Sequence, residues 1–262
     1  MTIIQNIQKK LWLKKNKKLP AFIHIPKTGG TYISQLETTK KPVIWPMKYF
    51  GHCCVADTDK LIAENYPPQR GYKDKPIIDI NLLKDNYFTF ATVRNIFDWL
   101  VSYWGHAGGH NNKYKNTNHY DYQIAQKGFD YLIKTIVNRT DKWPSRKFIH
   151  FAIFSYHGDL AVDWLNRIET LDKDLSELAK YKNLSYKKKE KQRLGTRKKD
   201  HREYYTPELI KLVNDTWQRE LDLFGYSFDG LNIQNAIIKN QVTENQKNNI
   251  KYYWEQDNLI ID

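Results

Sequence analysis

The sequence has little cysteine and no long apolar run. Its two cysteines, Cys53 and Cys54, are adjacent, and adjacent cysteines rarely form a disulfide because the short ring is strained. This excludes a small disulfide-stapled protein and favours free thiols in a reducing compartment. No segment approaches the ~18 apolar residues that a membrane span requires, which excludes a multi-pass membrane protein. Residues 1–15 lack the apolar core of a secretory signal, so we expect a cytoplasmic protein.

Acidic residues are scarce relative to basic ones. The chain has 42 Lys and Arg against 29 Asp and Glu, a formal net charge of +13. Residues 1–20 hold six lysines and no acidic residue, and residues 181–202 hold ten Lys or Arg and two acidic residues. The rest of the chain is therefore close to neutral. Charge localised in this way indicates an anionic partner: nucleic acid, an anionic lipid surface, or a small molecule that carries phosphate or sulfate.

Apolar residues are abundant enough to form a core. Hydrophobic residues make up 40% of the chain and aromatic residues 14%, a load that a disordered chain does not carry. Apolar, β-branched runs at residues 21–25 and 87–93 predict buried strands, and the pattern at 160–168 predicts a third. Strands that alternate with helices are typical of an α/β domain with a central, mostly parallel sheet flanked by helices.

Capping residues predict where several helices begin and end. Asn95 follows the second predicted strand and predicts the start of a helix. Thr206 is a cap with Pro207 at the first helical position, and Gly225 ends that helix. Apolar residues at helical spacing predict a further helix over 120–138.

The first candidate site is the turn Ile25-Pro-Lys-Thr-Gly-Gly-Thr31 between a predicted strand and a predicted helix. Glycines let the backbone approach a phosphate closely, and Lys27 adds a compact positive charge. The turn is not a Walker A loop, because the lysine precedes the glycines and no Lys-Ser/Thr pair follows to hold Mg²⁺. From spacing alone, phosphate binding and an ordinary Gly-Gly turn are both open.

The second candidate site begins at Arg94 and continues along the helix to Ser102. Arg94 directly follows a predicted strand, at the edge of the sheet where α/β proteins bind ligands. Ser102 adds a hydroxyl donor. Taken alone, this motif favours a plainer interpretation, in which Arg94 pairs with an acidic residue and Ser102 lies on the helix surface.

Together, the two motifs resemble those of the carbohydrate sulfotransferase superfamily. Residues 22–31 (FIHIPKTGGT) and 88–104 (FTFATVRNIFDWLVSYW) carry the resemblance, and residues 162–171, 202–209 and 221–226 extend it in the same order. The pattern is most similar to the branch that includes heparan-sulfate 2-O-sulfotransferase and its bacterial relatives.

This resemblance implies a fold, domain limits and a reaction. The fold would be P-loop-like and of the sulfotransferase type over residues 20–228, with a basic leader at 1–19 and a polar helix or tail at 229–262. The reaction would move a sulfuryl group from 3′-phosphoadenosine 5′-phosphosulfate (PAPS) to a hydroxyl, which we expect on a carbohydrate. Neither a metal nor a nucleic-acid partner is expected. The donor carries phosphate at two ends, in agreement with two separate anion sites.

The resemblance also assigns donor-binding residues. The 5′-phosphosulfate would bind the segment Lys27, Thr28, Gly29, Gly30, Thr31 and Tyr32. Arg94 and Ser102 would bind the 3′-phosphate. Arg197 and Lys198 would close over the nucleotide, although a solvated, lysine-rich loop is an equal alternative there.

Two residues are implied to act in the chemistry. Lys27 would stabilise the leaving phosphate, because positive charge near the bridging oxygen lowers the barrier to its departure. His52 matches a Gly-His segment of the family and would take the proton of the acceptor hydroxyl, since imidazole titrates near neutral pH. The alternative for His52 is a structural histidine.

Four positions depart from the family pattern. Tyr32 replaces a small hydroxyl residue, which removes a side-chain contact to phosphate, and Ile96 replaces a proline. Trp99 replaces an arginine and so removes a charge near the acceptor. Phe50 stands where the heparan-sulfate enzyme has a second histidine, which puts any role of that histidine in doubt here.

Two other function classes fit parts of the sequence. A nucleotide-dependent phosphotransferase would need Mg²⁺ and a Walker-type lysine, which the turn lacks. A non-enzymatic polyanion binder would use the two basic segments, and its binding would survive the loss of Lys27. His106 and His110 have metal-like spacing, but Gly108 and Gly109 argue against the helix that would align them. For the leader, we expect contact with a membrane surface or an acidic glycan.

Overall fold

A computed structural model shows how the chain around these motifs is folded. It describes residues 18–38, 48–51, 54–56, 77–108, 120–139, 144, 146, 149–154, 158–184, 186 and 200–256. Of the predicted site residues, His52, Arg197 and Lys198 lie outside these ranges, as do residues 1–17 of the leader.

A parallel sheet organises the described residues. Its strands are β1 (Leu19–His24), β2 (Lys48–Gly51), β5 (Tyr87–Val93) and β6 (Trp164–Arg167). Their order is β2–β1–β5–β6, and each neighbouring pair is parallel. Two smaller pairs are β3 (Cys54–Ala56) with β4 (Ile77–Asp79), which is parallel, and β7 (Tyr226–Ser227) with β8 (Gly230–Leu231), which is antiparallel.

Helices connect and flank these strands. They are α1 (Gly30–Thr38), α2 (Ile80–Asn86), α3 (Ile96–Ala107), α4 (Tyr122–Gln126), α5 (Phe129–Asn138), α6 (Leu171–Tyr181), α7 (Pro207–Phe224) and α8 (Glu244–Gln256). Short 3₁₀ helices lie at Phe151–Ile153, Ile168–Thr170 and His201–Tyr204. The predicted α/β class with a parallel sheet flanked by helices is confirmed.

Local capping chemistry is confirmed at three positions. The Asn95 side chain accepts a hydrogen bond from the Phe97 N–H at 3.1 Å, and the Thr206 hydroxyl oxygen accepts one from the Leu209 N–H at 3.3 Å. Gly225 ends α7 with a left-handed φ of 74°, a conformation that favours glycine.

Two predicted elements differ in their extent. The strand expected over 160–168 is shorter, because Leu160 forms an isolated antiparallel bridge with Phe154 before β6 begins. The helix expected over 120–138 is divided into α4 and α5 at Gly128, whose φ is 109°. That conformation lies outside the helical range, so the chain changes direction there.

Alternating side chains give the sheet two buried faces. Phe22 and Phe90 face α1 and α6 in a smaller core that includes Ile33 and Leu175. The intervening residues of the strands point to the opposite face, where a larger core includes residues of α2, α3, α5 and α7. Because both faces are covered at the centre of the sheet, β1 and β5 are largely apolar, as is typical of buried parallel strands.

The segment after α7 completes the larger core. Ile238, Val242 and Ile250 are buried in it. The Leu165 N–H of β6 donates to the Asn240 carbonyl at 2.7 Å. This segment, which the sequence suggested to be a polar helix or tail, therefore packs on the edge strand of the sheet.

The strand order brings the two candidate motifs to one place. From β1 the chain crosses to β2 on one side and later returns as β5 on the other side, with Phe22 opposite Phe90. The carboxyl ends of β1 and β5 are therefore neighbours at a topological switch point, where open α/β sheets bind ligands. The turn after β1 and Arg94 after β5 leave the sheet at this edge.

Candidate functional site

The turn between β1 and α1 has an unusual backbone. Lys27 has a φ of 67° and Gly29 a φ of 86°, and the left-handed conformation costs a residue such as lysine about 1 kcal/mol. The turn leads directly to the amino end of α1, whose first turn contains no acidic residue. Unpaired N–H groups and the positive end of the helix dipole at this position attract anions.

Both glycines of the turn are required by close packing. A Cβ atom on Gly30 would lie 1.9 Å from Nε2 of His24, and one on Gly29 would lie 2.6 Å from Cδ1 of Ile168. The His24 imidazole is stacked on Phe22, with ring centroids 5.8 Å apart. The sequence predicted these glycines for backbone approach to a phosphate, and the structure adds a packing reason that no local pattern indicates.

The hydroxyl groups of the turn have different surroundings. Thr28 is buried and its hydroxyl donates to the Ile25 carbonyl at 2.8 Å, which closes the turn. Thr31 is exposed at the start of α1. The Thr28 hydroxyl is therefore used within the turn, whereas the Thr31 side chain is accessible from outside it.

Tyr32 ties α1 to α6. Its phenol donates to Asp172 Oδ1 at 2.8 Å and lies 3.0 Å from the hydroxyl of Tyr186. Burial raises the pKa of the Tyr186 phenol, so it stays protonated and also donates to Asp172. The structure gives the Tyr32 side chain this anchoring role, and its direct contact with a donor stays a prediction.

Arg94 joins the two candidate motifs directly. Its Nη1 donates to the Lys27 carbonyl at 3.0 Å, and its Nε donates to Asp98 Oδ2 at 2.6 Å. Within the described part of the chain, Nη2 of Arg94 makes no hydrogen bond. Its two N–H groups are therefore available to an anion. Arg94 therefore pairs with an acidic residue, Asp98, and still has a donor for an anion. The two interpretations from the sequence are compatible.

Ser102 lies further along the same side of α3. Asp98 and Ser102 are four residues apart within α3, and residues at this spacing are neighbours on one side of a helix. Ser102 is partly exposed. Ser102 therefore lies one helical turn beyond Asp98, and its contact with a donor stays a prediction.

Trp99 tethers the turn to α3. The indole is fully buried, and its Nε1 donates to the Pro26 carbonyl at 2.9 Å. It also stacks on Tyr103 with ring centroids 5.0 Å apart. The sequence predicts only that Trp99 removes a charge near the acceptor. The structure shows in addition that its indole fixes Pro26, the residue before Lys27, through a hydrogen bond.

Glu169 supports the backbone after Arg94, a role that the sequence did not reveal. Its carboxylate accepts from the Asn95 N–H at 3.1 Å and from the Tyr226 hydroxyl at 2.7 Å. Burial, followed by the charge of Glu169, raises the pKa of the Tyr226 phenol, which therefore remains a donor. Only the folded chain shows that Glu169, which follows β6, meets Asn95.

Described residues lie close in the sequence to each of the remaining predicted site residues. His52 lies outside the described residues, but Gly51 ends β2 opposite His24 of β1. Arg197 and Lys198 also lie outside. Asp200, which follows them, caps the 3₁₀ helix at 201–204 by accepting from the Arg202 N–H at 2.9 Å.

The described ranges contain no cluster of three or more His, Cys, Asp or Glu side chains arranged to hold a metal ion. The same ranges contain no helix that is both long enough and apolar enough to cross a membrane.

Comparison with known proteins identifies a family. Residues 10–227 match the sulfotransferase family. Searches of curated proteins and of solved structures gave no significant match. The matched residues include the turn after β1, Arg94 and the helices that hold them.

Proposed function

Because its match extends over most of the sequence, this chain belongs to the sulfotransferase family, and we propose that it sulfates a carbohydrate hydroxyl with PAPS as the donor. Membership makes it a transferase that moves a sulfuryl group from a nucleotide sulfate donor to a hydroxyl acceptor. The identity of the acceptor and the roles of single residues belong to the proposal.

The hydrogen bond from Arg94 to the Lys27 carbonyl is the observation that carries the proposal. It couples the turn after β1 to the loop after β5 at the switch point of the sheet. One end of a ligand there meets the amino end of α1, and the other meets a guanidinium. PAPS has an anionic group at each end, so the arrangement fits a donor of this kind.

We assign the 5′-phosphosulfate to the turn. The backbone N–H groups of residues 28–31 and the amino end of α1 would bind its oxygens. The constraints on Gly29 and Gly30 support this assignment, because they hold the backbone in place before a ligand arrives.

We assign the 3′-phosphate to Arg94 and Ser102. Asp98 holds the guanidinium through Nε and leaves Nη2 for the phosphate. The hydroxyl of Ser102 would add a donor from the next turn of α3. Arg197 and Lys198 would complete the nucleotide site from the basic segment that precedes Asp200.

The donor supplies an activated sulfuryl group, and the chain supplies charge and a base. Lys27 would stabilise the negative charge that develops on the departing phosphate oxygen. His52 would accept the proton of the attacking hydroxyl. The end of β2 at Gly51, beside β1, supports a place for His52 near the switch point.

A sulfate-transfer assay tests the proposal. The full chain is incubated with radiolabelled PAPS and a panel of glycans and non-carbohydrate alcohols, with labelled product as the readout. We expect label in at least one glycan, and about 10²-fold or greater loss in Lys27→Ala and in His52→Ala.

A matched control is Lys134→Ala, which removes an exposed lysine that pairs with Asp130 on α5. It should retain full activity. Transfer of label to a non-carbohydrate acceptor alone would contradict the carbohydrate assignment, and full activity of His52→Ala would remove the proposed base.

A further inference from the structure

A buried polar pair lies in the larger core next to Arg94. His150 precedes the 3₁₀ helix at 151–153, and Glu220 belongs to α7. Their exposed fractions are 0% and 1%. A polar pair at this depth costs free energy unless every group has a partner, so its hydrogen bonds show what it holds.

Glu220 is satisfied by the chain around His150. Its carboxylate accepts from the Ile149 N–H at 3.0 Å and from the His150 N–H at 2.6 Å. It also pairs with Nδ1 of the His150 ring. The carboxylate thereby fixes both the backbone and the imidazole of His150.

The hydrogen bonds assign the tautomer of His150. The Arg94 backbone N–H lies 3.2 Å from Nε2 of His150. An N–H group can only donate, so Nε2 accepts and carries no proton. The ring proton is then on Nδ1, where Glu220 accepts it.

We propose that His150 and Glu220 are positioning residues for the donor's 3′-phosphate, because they hold the Arg94 backbone from which the phosphate-binding guanidinium extends. This inference rests on the proposed function of Arg94. Three contacts then fix Arg94: the His150 ring at its amide, Asp98 at Nε, and the Lys27 carbonyl at Nη1. Without the contact from the His150 ring, the backbone from which the guanidinium extends would no longer be held in place. Every group that contacts the ligand would still be present.

Comparing two nucleotides separates this role from simple structural support. Adenosine 3′,5′-bisphosphate carries the phosphate that Arg94 would bind, and adenosine 5′-phosphate lacks it. A general loss of packing weakens the binding of both, whereas a displaced Arg94 weakens only the first. The ratio of the two dissociation constants, measured by calorimetry on the full chain, is therefore the readout.

Three variants alter the pair in different ways. His150→Phe keeps an aromatic ring but removes the acceptor. Glu220→Gln keeps the shape but places a donor beside the imidazole, so the tautomer is no longer fixed. His150→Gln keeps an acceptor on a side chain of similar length.

We expect the wild type to prefer the bisphosphate. That preference should fall about tenfold in His150→Phe and in Glu220→Gln, the loss typical of a buried hydrogen bond, and should recover partly in His150→Gln. Binding of adenosine 5′-phosphate should change less than about twofold. If a variant fails to fold, as judged by circular dichroism, the remaining variants decide the result.

The control is Asp163→Ala. Asp163 also accepts from a backbone N–H of β5, that of Thr89 at 2.7 Å, but at the opposite end of the strand from Arg94. The Asp163→Ala substitution should lower the free energy of unfolding and leave the nucleotide preference unchanged. An unchanged preference in folded His150→Phe and Glu220→Gln would overturn the inference alone, whereas a wild type without preference would overturn the proposed function as well.

Discussion

Gly30 illustrates how one residue sets the shape of the site. Its missing side chain leaves room for the His24 imidazole, which lies beneath the start of α1 and stacks on Phe22. Since α1 supplies the amino end that would meet the donor, the packing of His24 and the binding of the ligand depend on the same position.

Gly30→Ala should therefore weaken donor binding and lower stability. The added methyl group would overlap the His24 ring, and overpacking of this kind costs about 1–3 kcal/mol. Urea unfolding and calorimetric titration with adenosine 3′,5′-bisphosphate measure the two effects.

The double variant His24→Ala/Gly30→Ala tests the cause. Removing the ring should restore much of the stability lost in Gly30→Ala. Ser34→Ala, further along α1, serves as the control and should change little. The explanation is wrong if Gly30→Ala is as stable as the wild type, or if the double variant is no more stable than Gly30→Ala.

At the scale of the element, α3 acts as a support for the turn as well as a carrier of Ser102. Trp99 reaches the Pro26 carbonyl, and Arg94 at its amino end reaches the Lys27 carbonyl. The turn is thus held by two consecutive carbonyl groups, and movement of α3 would move the turn with it.

Trp99→Phe should weaken bisphosphate binding by about threefold to tenfold, because it removes one neutral hydrogen bond to the turn and keeps an aromatic ring against Tyr103. Calorimetry measures the change. The matched control is Trp104→Phe on the same helix, whose indole donates at 2.9 Å to the Ala125 carbonyl. Equal effects of the two substitutions on binding would show that Trp99 has no special connection with the turn.

Substitutions at Thr206 test the stability of α7, the helix that carries Glu220. Thr206→Ala should lower the free energy of unfolding by about 1 kcal/mol, because it removes the cap of α7. Thr206→Ser keeps the hydroxyl and should retain most of the stability. Chemical denaturation measures both, and equal stability of the alanine variant and the wild type would contradict the capping role.

At the scale of the whole molecule, the segment after α7 belongs to the folded body. Arg167 of β6 donates to the carbonyl groups of Phe224 and Ile238, the first at 3.1 Å. Lys247 pairs with Asp163 at 2.8 Å. The family match ends at residue 227, so part of the core of this chain lies beyond the matched residues.

Two adjacent isoleucines test that conclusion. Ile238 is 0% exposed and Ile237 is 41% exposed. Ile238→Ala should lower the free energy of unfolding by about 2–5 kcal/mol, whereas Ile237→Ala should change it by less than about 0.5 kcal/mol. Urea unfolding of both variants gives the comparison, and a small effect at Ile238 would show that the segment does not stabilise the domain.

Local chemistry made much of this molecule predictable. The apolar run of β5 and the caps at Asn95, Thr206 and Gly225 depend on neighbouring residues, and each was predicted correctly. The turn after β1 and Arg94 became candidate sites only through the resemblance carried by the two motifs together, and their roles in binding stay predictions. The division of the helix at Gly128 was missed, because apolar spacing continues across it.

Contacts between distant segments were not predictable. The hydrogen bond from Trp99 to Pro26 and the His150–Glu220 pair join residues about 70 positions apart. A single sequence contains no local signal for such pairs. The strand order, which places the two motifs side by side, likewise depends on long-range pairing.

Most of the net positive charge lies outside the proposed donor site. The net charge of +13 lies mainly in residues 1–20 and 181–202, most of which lie outside the described residues. The proposed donor site instead relies on a few placed groups, Lys27 and Arg94 among them. Donor recognition should therefore depend on these two residues far more than on total charge.

Calorimetric titration with adenosine 3′,5′-bisphosphate, in the presence of EDTA, measures whether the two motifs form a metal-independent donor site. We expect saturable binding by the wild type, and at least about tenfold weaker binding by Arg94→Ala and Lys27→Ala, since each loses a charged hydrogen-bond donor. Absence of binding by the wild type, or binding that survives both substitutions unchanged, would contradict a donor site formed by the two motifs.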